Sequence, residues 1–390
     1  MPRTLIITND FPPRQGGIET FVHAMAVRFP PTDVAVYTSA EPGARAHDAR
    51  LPFPVVRDTA RTLLPTRRTT ARAAALIREL DCDTVWFGAA APLGLMAAGL
   101  RRRTPVRRIV ATTHGHEVWW ARAPGARRAL RRIGATVDTL TCLGDYTRRT
   151  ITPALDPAAA ARIRRLTPGV EPSEFTPRGP VPTPEAIALR AAHGIPPGAP
   201  VVLCAARLVP RKGQDTLVRA LPLIHRTVPD ATLLLVGSGP DEPRLRRLVA
   251  SSGLDDRVVL AGGRRHSEMP AFYAASDVFA MPCRTRRAGL EVEGLGIVFL
   301  EAAACALPTV VGRSGGAPDT VADGRTGYVV DPRSVAAVAD RLTRLLTDRE
   351  LAGAMGREGR TRIESAWTWQ HTHTRLTALL GTAATPPAPR

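Results

Sequence analysis

Short apolar runs rich in Val, Leu, Ile and Thr alternate along this chain with stretches whose apolar positions recur at helical spacing. In the first half the runs fall at residues 4–8, 34–38, 84–88, 108–113 and 137–144, with helix-period segments such as 17–29 and 67–80 between them. The pattern then lapses. From residue 170 to 199, a region that includes "VEPSEFTPRGPVPTPEA", the chain is dense in proline and weakly apolar, as an interdomain linker is. The alternation restarts at 200–208 and continues through 232–237, 257–262, 278–282 and 309–312. Strand and helix in such alternation predict parallel sheets wrapped by helices. The expected architecture is α/β, with two Rossmann-like doubly wound domains at 1–170 and 200–366 and a linker region at 171–199. Such domains bind ligands at the carboxyl ends of their strands, and a cleft between the two is the natural site. A segment at 367–381 is expected to pack back on the first domain. The tail 382–390 has no core-forming residues and is expected to be disordered.

Charge narrows the partners. The chain carries 53 basic and 35 acidic side chains, a formal net charge of +18, which calls for nucleic acid, an anionic membrane face or a phosphorylated substrate. Aromatic residues make up only 5% and no zinc-finger or RNP pattern occurs, so no nucleic acid is expected. Cys82, Cys142, Cys204, Cys283 and Cys305 are scattered and in no CxxC spacing. They indicate neither a disulfide framework nor a zinc site, but buried thiols in a reducing compartment. The opening run "TLIITND" is too short for the apolar region of a signal peptide, and no run of 18 apolar residues follows. A cytoplasmic protein is predicted, one that can still lie on a membrane.

Four loops after strands carry candidate chemistry. In "NDFPPRQGGIETF" (9–21), Gly16 and Gly17 open a helix whose free amides could hold an anion, although, taken alone, a plain strand-to-helix turn explains the motif better. In "ARLVPRKGQD", Arg207 and Lys212 lie five apart across a turn at the carboxyl end of a strand. Lys212 is the only lysine in the chain, in a composition that uses arginine everywhere else. A planar guanidinium and a mobile ammonium on either side of a diphosphate would neutralise a leaving group as it develops charge. The alternative is a solvated basic turn, which the solitary lysine argues against.

In "GLEVEGLGIVFLEAAACALPTV" (289–310), Glu293 and Glu301 stand eight apart, and Ile297 to Ala306 reads as a buried helix beginning near Gly296. With Glu293 in the loop before that helix, both carboxylates can face one cleft while the helix amides aim at phosphate. Glu301 amid "VFLEAAA" needs a partner to be tolerated on an apolar helix, and a buried arginine would be the purely structural one. Finally, "TTHGHEVWW" (112–120) places His114 and His116 directly after a strand, where one could act as a hydrogen-bonding or acid/base group. No third ligand stands nearby, and no metal is expected.

With these positions in view, the chain resembles the retaining GT-B glycosyltransferases of family 4 over essentially its whole length. The Glu293-x7-Glu301 spacing, "RLVPRKGQD", "LLLVGSGP" and "SDVFAMP" carry the resemblance. "PCRTR" followed by "GLEVEGLGIVFLEAAA", and the early "THGHEVWW", are similar to the GDP-mannose-dependent phosphatidylinositol-mannoside mannosyltransferases of actinobacteria. The resemblance implies transfer of a second, α-1,6-linked mannose from GDP-mannose to a phosphatidylinositol mannoside at the inner membrane face. It assigns Arg207 and Lys212 to the donor diphosphate, Glu301 to the ribose hydroxyls and Glu293 to the transferred sugar. Amides near Gly296, Ile297 and Val298 would meet phosphate or sugar oxygens, Gly16 and Gly17 the β-phosphate, and His114 the sugar near its 6-hydroxyl and the acceptor. "GGRR" (262–265) falls where the family's base-binding loop lies, and Arg287-Ala288 depart from a loop expected to be richer in glycine.

The implied chemistry is retaining transfer with no protein nucleophile, the leaving diphosphate taking the acceptor's proton, and with no tightly bound metal or other cofactor. Two-carboxylate glycosidase chemistry would need an acid and a nucleophile about 5 Å apart across the bond, which a ribose-bound Glu301 cannot supply. The surplus charge then has a use. Arg127, Arg128, Arg131 and Arg132 form i,i+4 pairs on one helix face of the first domain, a candidate surface for anionic lipid, or an ordinary solvated face. Two other readings stay open: a family member with another nucleotide sugar or a soluble acceptor, and a non-catalytic module that binds sugar nucleotide or membrane.

Overall fold

The structure, a computed structural model, describes residues 3–177, 179 and 182–381. The chain divides into two compact units, one running to Gly169 and resuming at Trp369, the other running from Val170 to Thr368. The expected disorder of 382–390 lies outside the described residues.

The first unit is built on a parallel sheet of seven strands: β1 (Arg3–Thr8), β2 (Val34–Thr38), β3 (Val55–Arg57), β4 (Cys82–Phe87), β5 (Arg108–Thr113), β6 (Thr139–Cys142) and β7 (Arg164–Arg165). Their order is β3-β2-β1-β4-β5-β6-β7. In the central strands nearly every residue is buried, because helices cover both faces, and that is why they read as continuous apolar runs. Leu5, Ile7, Tyr37, Val85, Phe87, Ile109 and Leu140 form the core with the covering helices. The helix Trp369–Leu380 belongs to this unit and sets Trp369 edge-on against Phe21 at 5.8 Å.

The second unit repeats the plan with β8 (Val201–Ala205), β9 (Thr232–Val236), β10 (Val258–Gly262), β11 (Val278–Met281), β12 (Thr309–Gly312) and β13 (Gly327–Val330), ordered β10-β9-β8-β11-β12-β13. In both sheets the strand order reverses beside the first strand, between β1 and β4 and between β8 and β11. Loops leaving these strands diverge there and open a crevice at their carboxyl ends.

Within the expected linker, residues 182–199 carry regular structure. Thr183 caps a helix at Pro184–Ala192 by accepting from the Ala186 amide, and Pro184 occupies the first helical position, where its missing N–H costs nothing. Arg190 on that helix bonds the carbonyls of Ala275 and Ala199 and the carboxylate of Asp277, fixing the segment to the second sheet.

Candidate active site

The loop after β8 makes a single 3-10 turn, Pro210–Lys212, before Gly213 starts the helix Gln214–His225. Gly213 has φ +80°, and a Cβ there would lie 2.1 Å from the Pro282 carbonyl oxygen of the loop after β11. Only glycine lets the two loops of the switch point approach so closely. The result is a fixed direction for Lys212. Its Nζ donates to Glu293 Oε2 at 2.7 Å, and Arg211 Nη1 donates to the same oxygen at 2.9 Å and to the Val292 carbonyl at 3.2 Å.

Glu293 is 7% exposed. Burial pushes its carboxyl up, yet Lys212 and Arg211 together outweigh that and hold it below its ordinary value. It lies in the loop before the helix Ile297–Ala304, as the sequence predicts, and its carbonyl accepts from the Gly316 amide at 2.9 Å. Gly296 caps the helix in the left-handed region, and the amides of Ile297 and Val298 have no backbone acceptor among the described residues.

Glu301 has a partner of a kind the sequence did not suggest. Tyr273 donates its hydroxyl to Glu301 Oε2 at 2.6 Å, and His266 Nδ1 stands 3.8 Å from Oε1. Burial raises the Glu301 carboxyl above its usual range. One oxygen is thus oriented by Tyr273, while the other faces, among the described residues, a half-exposed imidazole. That second oxygen is available to accept from a ligand hydroxyl.

Arg207 is exposed at the end of β8 and makes no side-chain hydrogen bond or ion pair among the described residues. The arginine that joins Lys212 on Glu293 is therefore Arg211, which sequence reasoning missed. Two adjacent basic residues in a turn carry no mark of which one points inward. Arg264 of the "GGRR" loop folds back onto the Ala261 carbonyl and lies over the Phe272 ring. Arg287 and Ala288 both take positive φ, 50° and 51°, in a loop closed by the Arg286–Glu291 pairing. The departure from glycine thus places two side-chain-bearing residues in backbone that glycine would hold without strain.

In the first unit, Gly16 and Gly17 do open a helix, Gly17–Ala26. Its amino end already faces an anion of the chain's own. A Cβ on Gly16 would fall 2.2 Å from a Glu19 carboxylate oxygen, and Glu19 pairs with Arg14 at 3.0 Å. Burial raises the Glu19 carboxyl, as it raises that of Asp10 on the same loop. His114 is 8% exposed and its Nε2 lies 2.6 Å from the Gly88 carbonyl. A carbonyl can only accept, so Nε2 carries the proton and Nδ1 is left as the acceptor. Burial brings the His114 imidazole down to about 4, so it is neutral at physiological pH and offers a hydrogen bond rather than a proton. His116 and Glu117 follow at 3.2 Å from each other.

Comparisons with known proteins give the family. The profile of Glycosyltransferase Family 4 matches residues 15–174, and that of Glycosyl transferases group 1 matches 186–362. A GDP-mannose-dependent alpha-(1-6)-phosphatidylinositol monomannoside mannosyltransferase of Mycolicibacterium smegmatis is 48% identical over 381 residues, 96% of this chain and 97% of the relative. The chain belongs to the family 4 glycosyltransferases. Within this family it groups with the phosphatidylinositol monomannoside mannosyltransferases, another being the monoacylated-acceptor enzyme of Corynebacterium glutamicum, 43% identical over 97% of both chains. Solved structures share the fold of this family 4 chain at lower identity. Anabaena Alr3699/HepE in complex with UDP superposes with a TM-score of 0.80 at 18% identity, covering 98% of this chain and 100% of that one. Sucrose-phosphate synthase from Thermosynechococcus elongatus does so with 0.74 at 22%, covering 97% and 98%. The fold is GT-B, as the sequence predicts.

Proposed function

We propose that this glycosyltransferase moves mannose from GDP-mannose to a monomannosylated phosphatidylinositol, forming an α-1,6 linkage with retention of configuration. The observation that carries the reading is the convergence of Lys212 and Arg211 on Glu293 at the carboxyl edge of the second sheet. A donor diphosphate meets Lys212 and Arg207 there, and as the sugar–phosphate bond breaks these cations stabilise the charge that develops on it. Arg211 keeps Glu293 ionised and aimed at hydroxyls of the transferred sugar. Glu301, oriented by Tyr273, accepts from the ribose, and the free amides at Gly296, Ile297 and Val298 meet phosphate or sugar oxygens. Glu293 is engaged by two cations and Glu301 is bound by Tyr273, which supports front-face transfer in which the leaving diphosphate takes the acceptor's proton. His114, neutral, accepts a hydrogen bond through Nδ1 from the sugar or the acceptor. The cations at the diphosphate are side chains, so the reading includes no tightly bound metal.

The same reading places the protein on the inner face of the cell membrane. No helix among the described residues is long and apolar enough to cross a membrane. The helix Pro124–Thr136 turns Leu130 and Ile133 inward and leaves Arg128, Arg131 and Arg132 exposed, and Trp119 on the preceding turn of helix is exposed as well. Arg127 is also exposed, but its guanidinium bonds the Pro153 carbonyl and is partly committed to the fold. A basic helix face and an exposed aromatic side chain in the same unit suit an anionic lipid surface.

The donor assignment is tested by incubating the purified protein with monomannosylated phosphatidylinositol and, separately, GDP-mannose, UDP-glucose or UDP-N-acetylglucosamine. Transfer from GDP-mannose alone is expected. Transfer from a uridine donor alone overturns the donor, and binding without transfer from any donor favours the non-catalytic module.

A further inference from the structure

A charged cavity outside the donor residues lies at the same edge of the second sheet, beyond β11. Its volume is about 320 Å³, and it is lined by Arg284, Thr285, Arg313, Asp331, Pro332 and Arg333. These residues leave the carboxyl ends of three adjacent strands, β11, β12 and β13, the edge where open α/β sheets take ligands. Arg284 is fixed in place: its Nη2 bonds Asp215 Oδ1 at 2.5 Å and its Nη1 reaches Thr216 Oγ1 at 3.3 Å. The same carboxylate also takes Arg219 at 3.1 Å and Arg244 at 3.4 Å, although Arg244 is held chiefly by Asp241 at 2.7 Å. Arg313 and Arg333 have no side-chain hydrogen bond or ion pair among the described residues, although Asp331 lines the same cavity. Asp331 Oδ1 is instead turned to the Arg333 backbone amide at 2.9 Å.

With Arg284 paired to Asp215, Arg313 and Arg333 against Asp331 still leave the cavity net positive, and neither of these two has a side-chain partner among the described residues. We propose that this cavity is an anion site for a phosphate group, held by Arg313 and Arg333 on its walls with Arg284 and the Thr285 hydroxyl at its base. The planar, forked donors of arginine match phosphate oxygens in pairs, and the volume admits a phosphate with several waters, each of which takes about 30 Å³ in the liquid. The cavity of about 450 Å³ at the opposite edge of the sheet offers less convergence: its Arg190 is spent on Asp277 and two carbonyls, which leaves Arg349 as the one other arginine among its lining residues.

The site is wired to the donor residues. Thr285 Oγ1 lies 3.0 Å from Ser314 Oγ, which accepts from the Glu293 amide at 3.4 Å, and the Arg284 amide donates to the Arg211 carbonyl at 2.8 Å. An anion here bears on the loops that carry Glu293 and Lys212. Its binding does not depend on which sugar nucleotide the enzyme uses.

The test is calorimetric titration of the full chain with inorganic phosphate and, separately, with glycerophosphoinositol, a soluble phosphodiester headgroup. Wild type is compared with Arg313→Gln/Arg333→Gln, with each single variant, and with Lys212→Gln as the donor-site control. Binding at least tenfold weaker in the double variant and retained in Lys212→Gln is expected. Preference for the phosphodiester assigns the site to a lipid headgroup, and preference for inorganic phosphate assigns it to the free ion. Unchanged binding in the double variant, or loss of all binding in Lys212→Gln, overturns the proposal. Should the double variant fold poorly, the single variants decide between the same outcomes, a severalfold loss supporting the site and no loss overturning it.

Discussion

Lys212 Nζ and Glu293 Oε2 form a 2.7 Å ion pair between residues 81 apart in sequence, with side chains only 12% and 8% exposed. The pair explains why one lysine persists in an arginine-rich chain. Arg211 already presents its broad fork to the same oxygen. A second guanidinium would crowd it, whereas a compact ammonium fits and can swing toward a phosphate oxygen when the donor arrives.

Lys212→Ala is therefore expected to lower kcat by about 10² to 10³, the range for removing one preorganised electrostatic donor, with the circular-dichroism spectrum unchanged. Lys212→Arg is expected to recover only part of that loss. Steady-state kinetics on both variants decide the point, and near-normal turnover in Lys212→Ala would remove the lysine from the mechanism.

Tyr273→Phe deletes the hydroxyl that orients Glu301. A hydrogen bond to a charged group contributes about 1.5 to 3 kcal/mol, so KM for the sugar nucleotide is expected to rise by about tenfold or more while kcat changes little. Equal falls in kcat and kcat/KM would instead show that Glu301 acts on the reacting sugar rather than on the ribose.

Glu19 makes the opposite prediction. Its carboxylate lies over Gly16 at the amino end of the helix Gly17–Ala26, where a donor phosphate is expected, and competes with it for the same field. Replacing it by glutamine removes about 1 kcal/mol of repulsion, so Glu19→Gln is expected to lower KM for the sugar nucleotide about fivefold. An unchanged or higher KM would mean that no phosphate approaches these amides.

These three residues show where the sequence was legible and where it was not. The central strands could be read because burial on both faces leaves them continuously apolar, and β2 coincides with the expected 34–38. The edge strands Val55–Arg57 and Arg164–Arg165 escaped because runs of three and two residues carry no period, and Gly327–Val330 is barely longer. Pro184 read as linker although it is the first residue of a capped helix. At the site, Glu293, Glu301 and Lys212 stood out by chemistry against their local sequence. Tyr273 and Arg211 did not, because what marks them is a contact with a residue 28 and 82 positions away, respectively. Glu19 did not stand out either, since filling a helix terminus from within is a matter of rotamer.

His373 and His114 are each held by burial at about 4. An unfolded histidine titrates near about 6.5, so between those values the unfolded chain binds more protons than the folded one. Stability present above pH 6.5 is thus lost as the pH falls toward 4, by up to about 3 kcal/mol for each histidine. His373→Phe, which keeps a ring against Phe29, is expected to flatten the fall in melting temperature between pH 7 and pH 4.5. A variant that follows the wild-type curve would show that His373 does not supply this acid sensitivity.

Retaining transfer of mannose to a mannosylated phosphatidylinositol is tested most directly by proton NMR of the product. The product is formed from GDP-mannose and monomannosylated phosphatidylinositol in vesicles, after mass spectrometry has shown one added hexose. A single new α-anomeric mannose linked to the 6-position of the first is expected. A β-anomer, another linkage, or free mannose without transfer to the lipid would contradict the assignment.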